Sequence, residues 1–252
     1  MPYARPMCGR FTLAKPERVA PHFEIVEPKR AADLPRRYNI APTQPVAVVH
    51  AERGRRQLTA MRWGLIPDWK KPEEGGRTPA GWFNARAETA AEKPAFRAAF
   101  KRGRCLVPAD GFYEWQKVNR AAGGTKQPYY IRPPGGEPLA FAAIHGWWAH
   151  PDGSELPTVA VLTTRPNAEM AELHDRMPVL IDPPDFDRWL GLGRFATATE
   201  NPGPPDVDDL LGPAPDGTLE PVPVSPRVGN VRNDDAALIA PLTPPGPATL
   251  FG

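Results

Sequence analysis

A cysteine follows the second methionine of the chain directly, in the opening stretch MPYARPMCGRFTL. If Met7 is the true start and is removed, as the small cysteine side chain permits, Cys8 carries a free α-amine beside its thiol. An amine and a thiol on adjacent carbons can close a five-membered thiazolidine ring on an aldehyde. The amine loses its proton easily, because its reference pKa is about 8. The alternative for Cys8 is an internal thiol, since free cysteine is among the most buried residue types.

Three further polar side chains stand in segments suited to proton transfer or anion binding. Asn84 and Arg86 of FNARAET are two positions apart, so both lie on one face if the segment is extended. The alternative for this pair is a capped helix start on the surface. Glu114 of GFYEW follows two aromatic residues, and a carboxylate in such surroundings tends to have a raised pKa, which suits acid and base work. The alternative for Glu114 is a surface position on an edge strand.

A histidine and the second cysteine complete the candidates. His174 of HDRMP ends a helix-like segment, where a histidine can move protons near pH 7; the alternative is a structural histidine. Cys105 lies in an apolar, strand-like run, so we expect it in the core. Two cysteines without paired Cys/His spacing predict no metal site, and we expect no cofactor.

The elements that must position these residues are short and separated by proline. The chain has 35 prolines among 252 residues, which indicates many short elements joined by rigid turns. β-branched and aromatic runs flanked by Pro or Gly predict six strands, over residues 45–51, 56–63, 103–109, 127–133, 138–148 and 156–164. Helices are predicted over residues 16–23, 87–102 with a break at Pro94, 167–174 and 185–191.

These elements do not alternate regularly between strand and helix, which argues against a doubly wound parallel sheet. We expect an α+β fold with a single domain, in which short helices flank a curved, mainly antiparallel, barrel-like β-sheet. The acidic, Pro/Gly-rich residues 197–226 are expected to form an extended surface connection, and residues 243–252 a C-terminal tail.

Charge is distributed unevenly along the chain. Residues 1–126 contain 24 Lys and Arg against 12 Asp and Glu, although the whole chain has a net charge of only +2. Such a split suggests that surfaces built by the first half meet a polyanion, and the alternative is a surface that is balanced internally. No apolar run approaches the roughly 18–20 residues that a membrane span requires, and no signal peptide is recognisable. We therefore expect no membrane contact and a cytoplasmic protein.

Six short segments occur in one order along the chain: CGRF (8–11), RYNIAPTQ (37–44), RWGLIPDW (62–69), FNARAET (83–89), RCLVPADGFYEW (104–115) and HDRMPVLI (174–181). Together they resemble the SOS response-associated peptidase family, the abasic-site processing proteins that shield damaged single-stranded DNA. The resemblance covers residues 8–242. It therefore leaves residues 1–7 as a leader that is absent from, or removed in, the mature protein.

The resemblance implies a role for each candidate residue. Cys8 would capture the aldehyde of an open abasic sugar as a thiazolidine, with Asn84, Glu114 and His174 around it. Arg10 and Arg86 would bind phosphates, and Trp63 and Trp69 would stack on bases, which tolerates any sequence. Thr163 would add hydrogen bonds to phosphate or sugar.

The resemblance thus predicts a monomeric protein that crosslinks covalently to abasic sites in single-stranded DNA, with flanking duplex docked at a single-strand/double-strand junction. It would associate with the nucleoid when bound to DNA. Two alternatives remain open from the sequence. One is a thiol peptidase with Cys8 as its nucleophile, which could cleave its own leader and coexist with crosslinking. The other is a single-stranded DNA-binding module that forms no covalent bond.

Overall fold

The computed structural model of the chain describes residues 9–26, 33–116, 126–193 and 206–242. Its strands are β1 (Phe11–Leu13), β2 (Arg37–Ile40), β3 (Pro45–Glu52), β4 (Arg55–Trp63), β5 (Asn84–Arg86), β6 (Arg104–Ala109), β7 (Gly111–Trp115), β8 (Pro128–Arg132), β9 (Leu139–Ala149), β10 (Glu155–Thr164), β11 (Met177–Pro178) and β12 (Glu220–Pro223). Its α-helices are α1 (Val19–Phe23), α2 (Ala87–Ala90), α3 (Arg97–Arg102), α4 (Ala168–Ala171) and α5 (Phe186–Leu190). Within these ranges, none of the helices has the length and apolar character needed to cross a membrane.

Five strands close into a barrel, in the order β10-β4-β3-β6-β9 and back to β10. The pairing of β10 with β4 is parallel and the other four pairings are antiparallel, so the barrel is mixed. The β3–β4 hairpin turns at Arg53-Gly54, where both residues have positive φ; this is the backbone of the tight turns that match strand twist. Consecutive residues of β9 and β10 are buried over 139–144 and 158–164. Both faces are covered there, so these sequences are nearly continuous apolar runs.

A second, open sheet has the order β12-β8-β7-β1-β2, and all of its pairings are antiparallel. It packs on the barrel through aromatic contacts. The Phe141 ring of β9 meets Phe11 of β1 at 5.8 Å and Phe112 of β7 at 5.9 Å between ring centroids. The two sheets therefore share one core, which confirms the predicted single α+β domain with a barrel-like sheet.

The six predicted strands correspond to β3, β4, β6, β8, β9 and β10 within one residue at each end. The predicted helix break at Pro94 is also confirmed, because α2 ends at Ala90 and α3 begins at Arg97. The sequence patterns missed the shorter strands, among them β5 and β7, whose three to five residues are too few to show a period.

The prediction for residues 197–226 was wrong over the part that the structure describes, residues 206–226. This part contains β12, which pairs with β8 from Glu220 to Pro223. Val207, Leu219 and Val224 are buried. Proline is tolerated in β12 because it lies at the edge of the sheet, where half of its backbone N–H groups need no partner. Residues 197–205 lie outside the described ranges.

Candidate active site

The register of β1 against β7 sets the first half of the site. Phe11 lies opposite Phe112 and Thr12 opposite Gly111, and the N–H of Tyr113 donates to the carbonyl of Arg10 at 2.9 Å. Continued by two residues, this antiparallel register brings Glu114 opposite Gly9. The Glu114 side chain is buried, at 4% exposure, on a strand that has neighbours on both sides. The predicted edge-strand alternative for Glu114 was therefore wrong.

Strand β5 brings Asn84 and Arg86 to the same region. It pairs in parallel with β10, where Asn84 lies beside Val161 and Arg86 beside Thr163. The segment is extended, so Asn84 and Arg86 lie on one face while Ala85 between them is buried. The ring of Phe83 lies 3.9 Å from the position that a Cβ on Gly9 would occupy. The residue before Asn84 thus contacts the segment that immediately follows Cys8.

His174 reaches this region from the other edge of β10. The backbone N–H of His174 donates to the carbonyl of Met170 in α4, and the His174 side chain is largely buried. Nδ1 lies 3.2 Å from the N–H of Arg176 and 2.9 Å from a carboxylate oxygen of Asp175. The first contact requires a lone pair on Nδ1 and the second requires a proton, so the tautomer decides which of the two orients the ring.

One ion pair joins the histidine loop to the start of α2. The Arg176 guanidinium donates to both carboxylate oxygens of Glu88, at 2.5 and 2.7 Å, and to the carbonyl of Thr163. These hydrogen bonds from Arg176 are the main reason why the pKa of Glu88 is lowered. Sequence reasoning missed this pair, although Glu88 lies in FNARAET and Arg176 in HDRMP. The pair ties β5 and the His174 loop together across the end of β10.

Arg10 turns towards the protein. Its guanidinium donates to the side-chain oxygen of Asn39 at 2.9 Å and to the carbonyls of Val228 and Gly229 at 2.8 and 3.3 Å. Partial burial lowers the pKa of Arg10. Two of these three hydrogen bonds hold the loop after residue 225 against the start of β1, and the third goes to β2. This is a structural task that the sequence did not predict.

The two tryptophans predicted to stack on bases occupy different environments. Trp63 is 1% exposed. Its indole N–H donates to the carbonyl of Phe83 at 2.8 Å, and its ring meets Phe11 edge-on at 5.1 Å. Trp63 therefore supports β1 and the start of β5 from the core, and its ring has no face on which a base could stack. Trp69 is 59% exposed, which leaves its predicted stacking role possible.

Thr163 and Arg86 also differ in access. Thr163 is 2% exposed; its hydroxyl donates to the carbonyl of Ala85 at 3.4 Å and lies 3.4 Å from the Arg176 guanidinium. The predicted contact of Thr163 with phosphate is replaced by contacts that join β10 to β5. Arg86 is exposed and can meet a phosphate.

The structure describes one of the two cysteines. Cys105 lies fully buried in β6 as a free thiol, which confirms the predicted core position. Burial raises its pKa well above the ordinary value, so this thiol is inert. Cys8 lies outside the described residues. Its neighbour Gly9 is described. The continued register of β1 and β7 brings Glu114 opposite Gly9, and Phe83, which precedes Asn84, lies beside Gly9.

Comparisons with known proteins show the family of this chain. A sequence model of the family described as "SOS response associated peptidase (SRAP)" matches residues 7–231. The abasic site processing protein YoqW of Bacillus subtilis (strain 168) is 35% identical over 234 residues, which cover 92% of this chain and 99% of that protein. The abasic site processing protein HMCES of Xenopus tropicalis is 35% identical over 210 residues, which cover 75% of this chain and 59% of that protein.

The fold has solved counterparts as well. A crystal structure of a protein from Bacteroides thetaiotaomicron superposes with a TM-score of 0.75, and the match covers 94% of this chain and 100% of that one. The sequence identity is 23%, so this likeness concerns the fold alone.

Proposed function

This chain belongs to the SOS response associated peptidase family, and from that membership we propose that it captures abasic sites in single-stranded DNA as a covalent adduct of Cys8. The observation that carries the proposal is the burial of Glu114 on β7, whose register with β1, continued by two residues, brings Glu114 opposite Gly9. A carboxylate at that place is within one residue of the Cys8 amine, where proton transfer is needed. The relatives described above are named abasic site processing proteins, which supports the same substrate.

The proposed chemistry needs the α-amine of Cys8 to be free, so the mature chain would begin at Cys8. The unprotonated amine attacks the aldehyde carbon of the open abasic sugar, and the resulting carbinolamine loses water to give an imine. The thiol then adds its sulfur to the imine carbon and its proton to the nitrogen, which closes a thiazolidine. One aldehyde and one aminothiol therefore yield one thiazolidine and one water, with no oxidant or reductant.

Glu114 is proposed to take the proton from the attacking amine and to return it to the departing hydroxyl. A positioned acid or base contributes about 10²–10⁴ in rate. Asn84 would hydrogen-bond at the aminothiol, and His174, on the opposite side of β10, would assist the imine steps at the sugar. Arg86 is exposed on the same face as Asn84 and would bind a flanking phosphate with its fork of donors.

The test uses the chain that begins at Cys8 and a single-stranded oligonucleotide with one aldehyde-bearing abasic site. We expect a heat-stable adduct visible in a denaturing gel, with an added mass equal to that of the oligonucleotide less one water. An undamaged oligonucleotide and one in which the aldehyde has been reduced should give no adduct. Turnover of peptides without any DNA adduct would contradict the proposal and favour the thiol peptidase. Equal, purely reversible binding of intact and abasic DNA would favour the non-covalent binding module.

We propose a monomer that accepts duplex next to the lesion on one side. Adduct yields on a single strand, on a single-strand/double-strand junction and within a full duplex separate these cases. The full duplex should react least, because the abasic nucleotide must leave the stack to reach Gly9.

Glu88 is expected to act as a positioning residue, and Glu88→Gln tests this role. Loss of the two charged hydrogen bonds from Arg176 should loosen the His174 loop against β5 and slow adduct formation about tenfold. Reversible affinity for a reduced abasic oligonucleotide should stay unchanged. The ion pair stabilises the fold fully at pH values above the ordinary pKa of Glu88, and this contribution is lost as pH falls through the lowered pKa. Glu88→Gln should therefore make the free energy of unfolding depend less steeply on pH in the acid range.

Glu92→Gln is the matched control, because Glu92 is exposed two residues beyond α2. It should change neither the adduct rate nor the dependence of the free energy of unfolding on pH in the acid range. A Glu88→Gln rate equal to that of Glu92→Gln would show that the ion pair does not position the site.

A further inference from the structure

A groove of about 650 Å³ lies between the segment after β4, helix α3 and strand β9. Its volume is within the range of small-molecule binding sites. Two tryptophans border it with much of their surface in solvent: Trp69 at 59% and Trp147 at 48% exposure. The floor includes Leu65 and Gly146. Tryptophan is enriched at binding interfaces, because its ring is largely apolar and its N–H can still donate a hydrogen bond.

Helix α3 forms a cationic side of the groove. Helix α3 has the sequence RAAFKR, in which Arg97, Lys101 and Arg102 are exposed, and both arginines line the groove. Asp68 is the acidic residue among the groove-lining side chains. His145 lies among the lining residues as a neutral imidazole, because burial and the neighbouring His50 lower its pKa to about 4. The positive charge of the groove therefore comes from arginine and does not change near neutral pH.

Helix α3 is held close to the floor of the groove. Gly103 ends the helix, and a Cβ there would lie 2.2 Å from the carbonyl oxygen of His145. Only glycine allows this approach, so α3 and β9 keep a defined separation. The groove is thus a feature of packed elements and not of a loop surface.

Trp82 links the candidate active site to the groove. Trp82 lies two positions before Asn84, in a segment whose backbone bonds to Leu65 in both directions at 2.9 Å. The chain bends at Phe83, between Trp82 and β5. The Trp82 ring meets Phe96, next to α3, at 6.0 Å, and the Lys70 ammonium lies 4.6 Å from its centroid. Trp82 therefore adjoins both Asn84 and the groove, whose lining includes Leu65 and the two neighbours of Phe96.

We propose that this groove binds the unpaired DNA strand that adjoins the lesion, with bases stacked on Trp69 and Trp147 and phosphates bound by Arg97 and Arg102. The inference rests on the proposed function and extends it from the lesion to its neighbours. Aromatic faces beside a basic wall are the combination that binds single strands without reading sequence. A duplex would present no free base face to either indole.

The experiment measures reversible binding by fluorescence anisotropy, with labelled thymidine oligonucleotides that carry a tetrahydrofuran in place of the abasic sugar. This analogue lacks the aldehyde, so no adduct forms. The short probe has a single nucleotide on each side of the lesion, and the long probe has about eight, a length within known single-strand site sizes. For the unmodified chain we expect the long probe to bind at least tenfold more tightly than the short one.

Two variants change the side chains proposed to bind the strand: Trp147→Ala, and the double charge reversal Arg97→Glu with Arg102→Glu. Both alter exposed side chains, so folding should be preserved. Each should weaken the long probe about tenfold, equal to about 1.4 kcal/mol, and leave the short probe unchanged. The matched control is Arg53→Glu with Arg55→Glu at the β3–β4 turn, because these residues are also exposed and lie at the far end of β4, about 26 Å away along the strand.

Three outcomes would overturn the inference. The first is equal affinity for the two probes, and the second is a loss of affinity in the control as large as in the groove variants. The third is a long probe that binds more tightly than the short one only after a complementary strand has made its extension duplex. The result is separable from the proposed function. If the groove does not bind the strand, all variants should still form the adduct with an aldehyde-bearing oligonucleotide. If the proposed function is wrong, the unmodified chain itself should form no such adduct.

Discussion

A chain that retains residues 1–7 should form no heat-stable adduct with an abasic oligonucleotide, whereas a chain that begins at Cys8 should convert nearly all of it. With the leader attached, the nitrogen of Cys8 is an amide whose lone pair is delocalised into the carbonyl, so it cannot form the imine. The expected loss is complete because no other residue offers an amine and a thiol on adjacent carbons. Mass spectrometry of the chain, before and after incubation with the oligonucleotide, measures both the start residue and the adduct.

Two variants locate the reaction on Cys8. Replacing Cys8 by serine at the start of the chain keeps the amine but removes the sulfur, so an imine should form that survives only after reduction with borohydride. Cys105→Ala should leave the adduct yield unchanged, because that thiol is fully buried. A chain that keeps MPYARPM and still forms the adduct through Cys8 would contradict the thiazolidine mechanism.

Glu114→Gln should slow adduct formation by about 10²–10³, within the contribution of a positioned acid or base. Glutamine has nearly the same shape as glutamate, so it can keep the packing of this buried position on β7, but it cannot exchange a proton with the amine. The measurement is the single-turnover rate with excess protein on an aldehyde-bearing oligonucleotide. Affinity for the tetrahydrofuran probe should change little, because the carboxylate is needed for the reaction steps.

The control for this substitution is Glu220→Gln on β12 of the same sheet. Glu220 is partly exposed and forms an ion pair with Arg132 at 2.8 Å, and such a pair contributes at most about 1 kcal/mol to stability. Its loss should leave the rate unchanged. If Glu114→Gln reacts as fast as Glu220→Gln, the carboxylate opposite Gly9 takes no part in proton transfer.

Local sequence determined much of this protein. Six strands could be located because each is a run of β-branched and aromatic residues between Pro or Gly, and such a run is visible without knowledge of its partners. The segments around Cys8, Asn84, Glu114 and His174 could be selected because six segments, in one order along the chain, resemble those of a known family. The core position of Cys105 followed from the apolar run around it.

The tertiary structure alone decided which of these side chains face the site. Trp63 and Trp69 belong to one segment, yet closure of the barrel buries the first and leaves the second in solvent. Arg10 donates to a carbonyl 218 residues away, and only the register of β1 on β7, continued by two residues, brings Glu114 opposite Gly9. The pairing of Arg176 with Glu88 spans 88 residues. Local patterns report on the next few residues of the chain, whereas burial and hydrogen-bond partners depend on strand pairings that loops of any length can bring together.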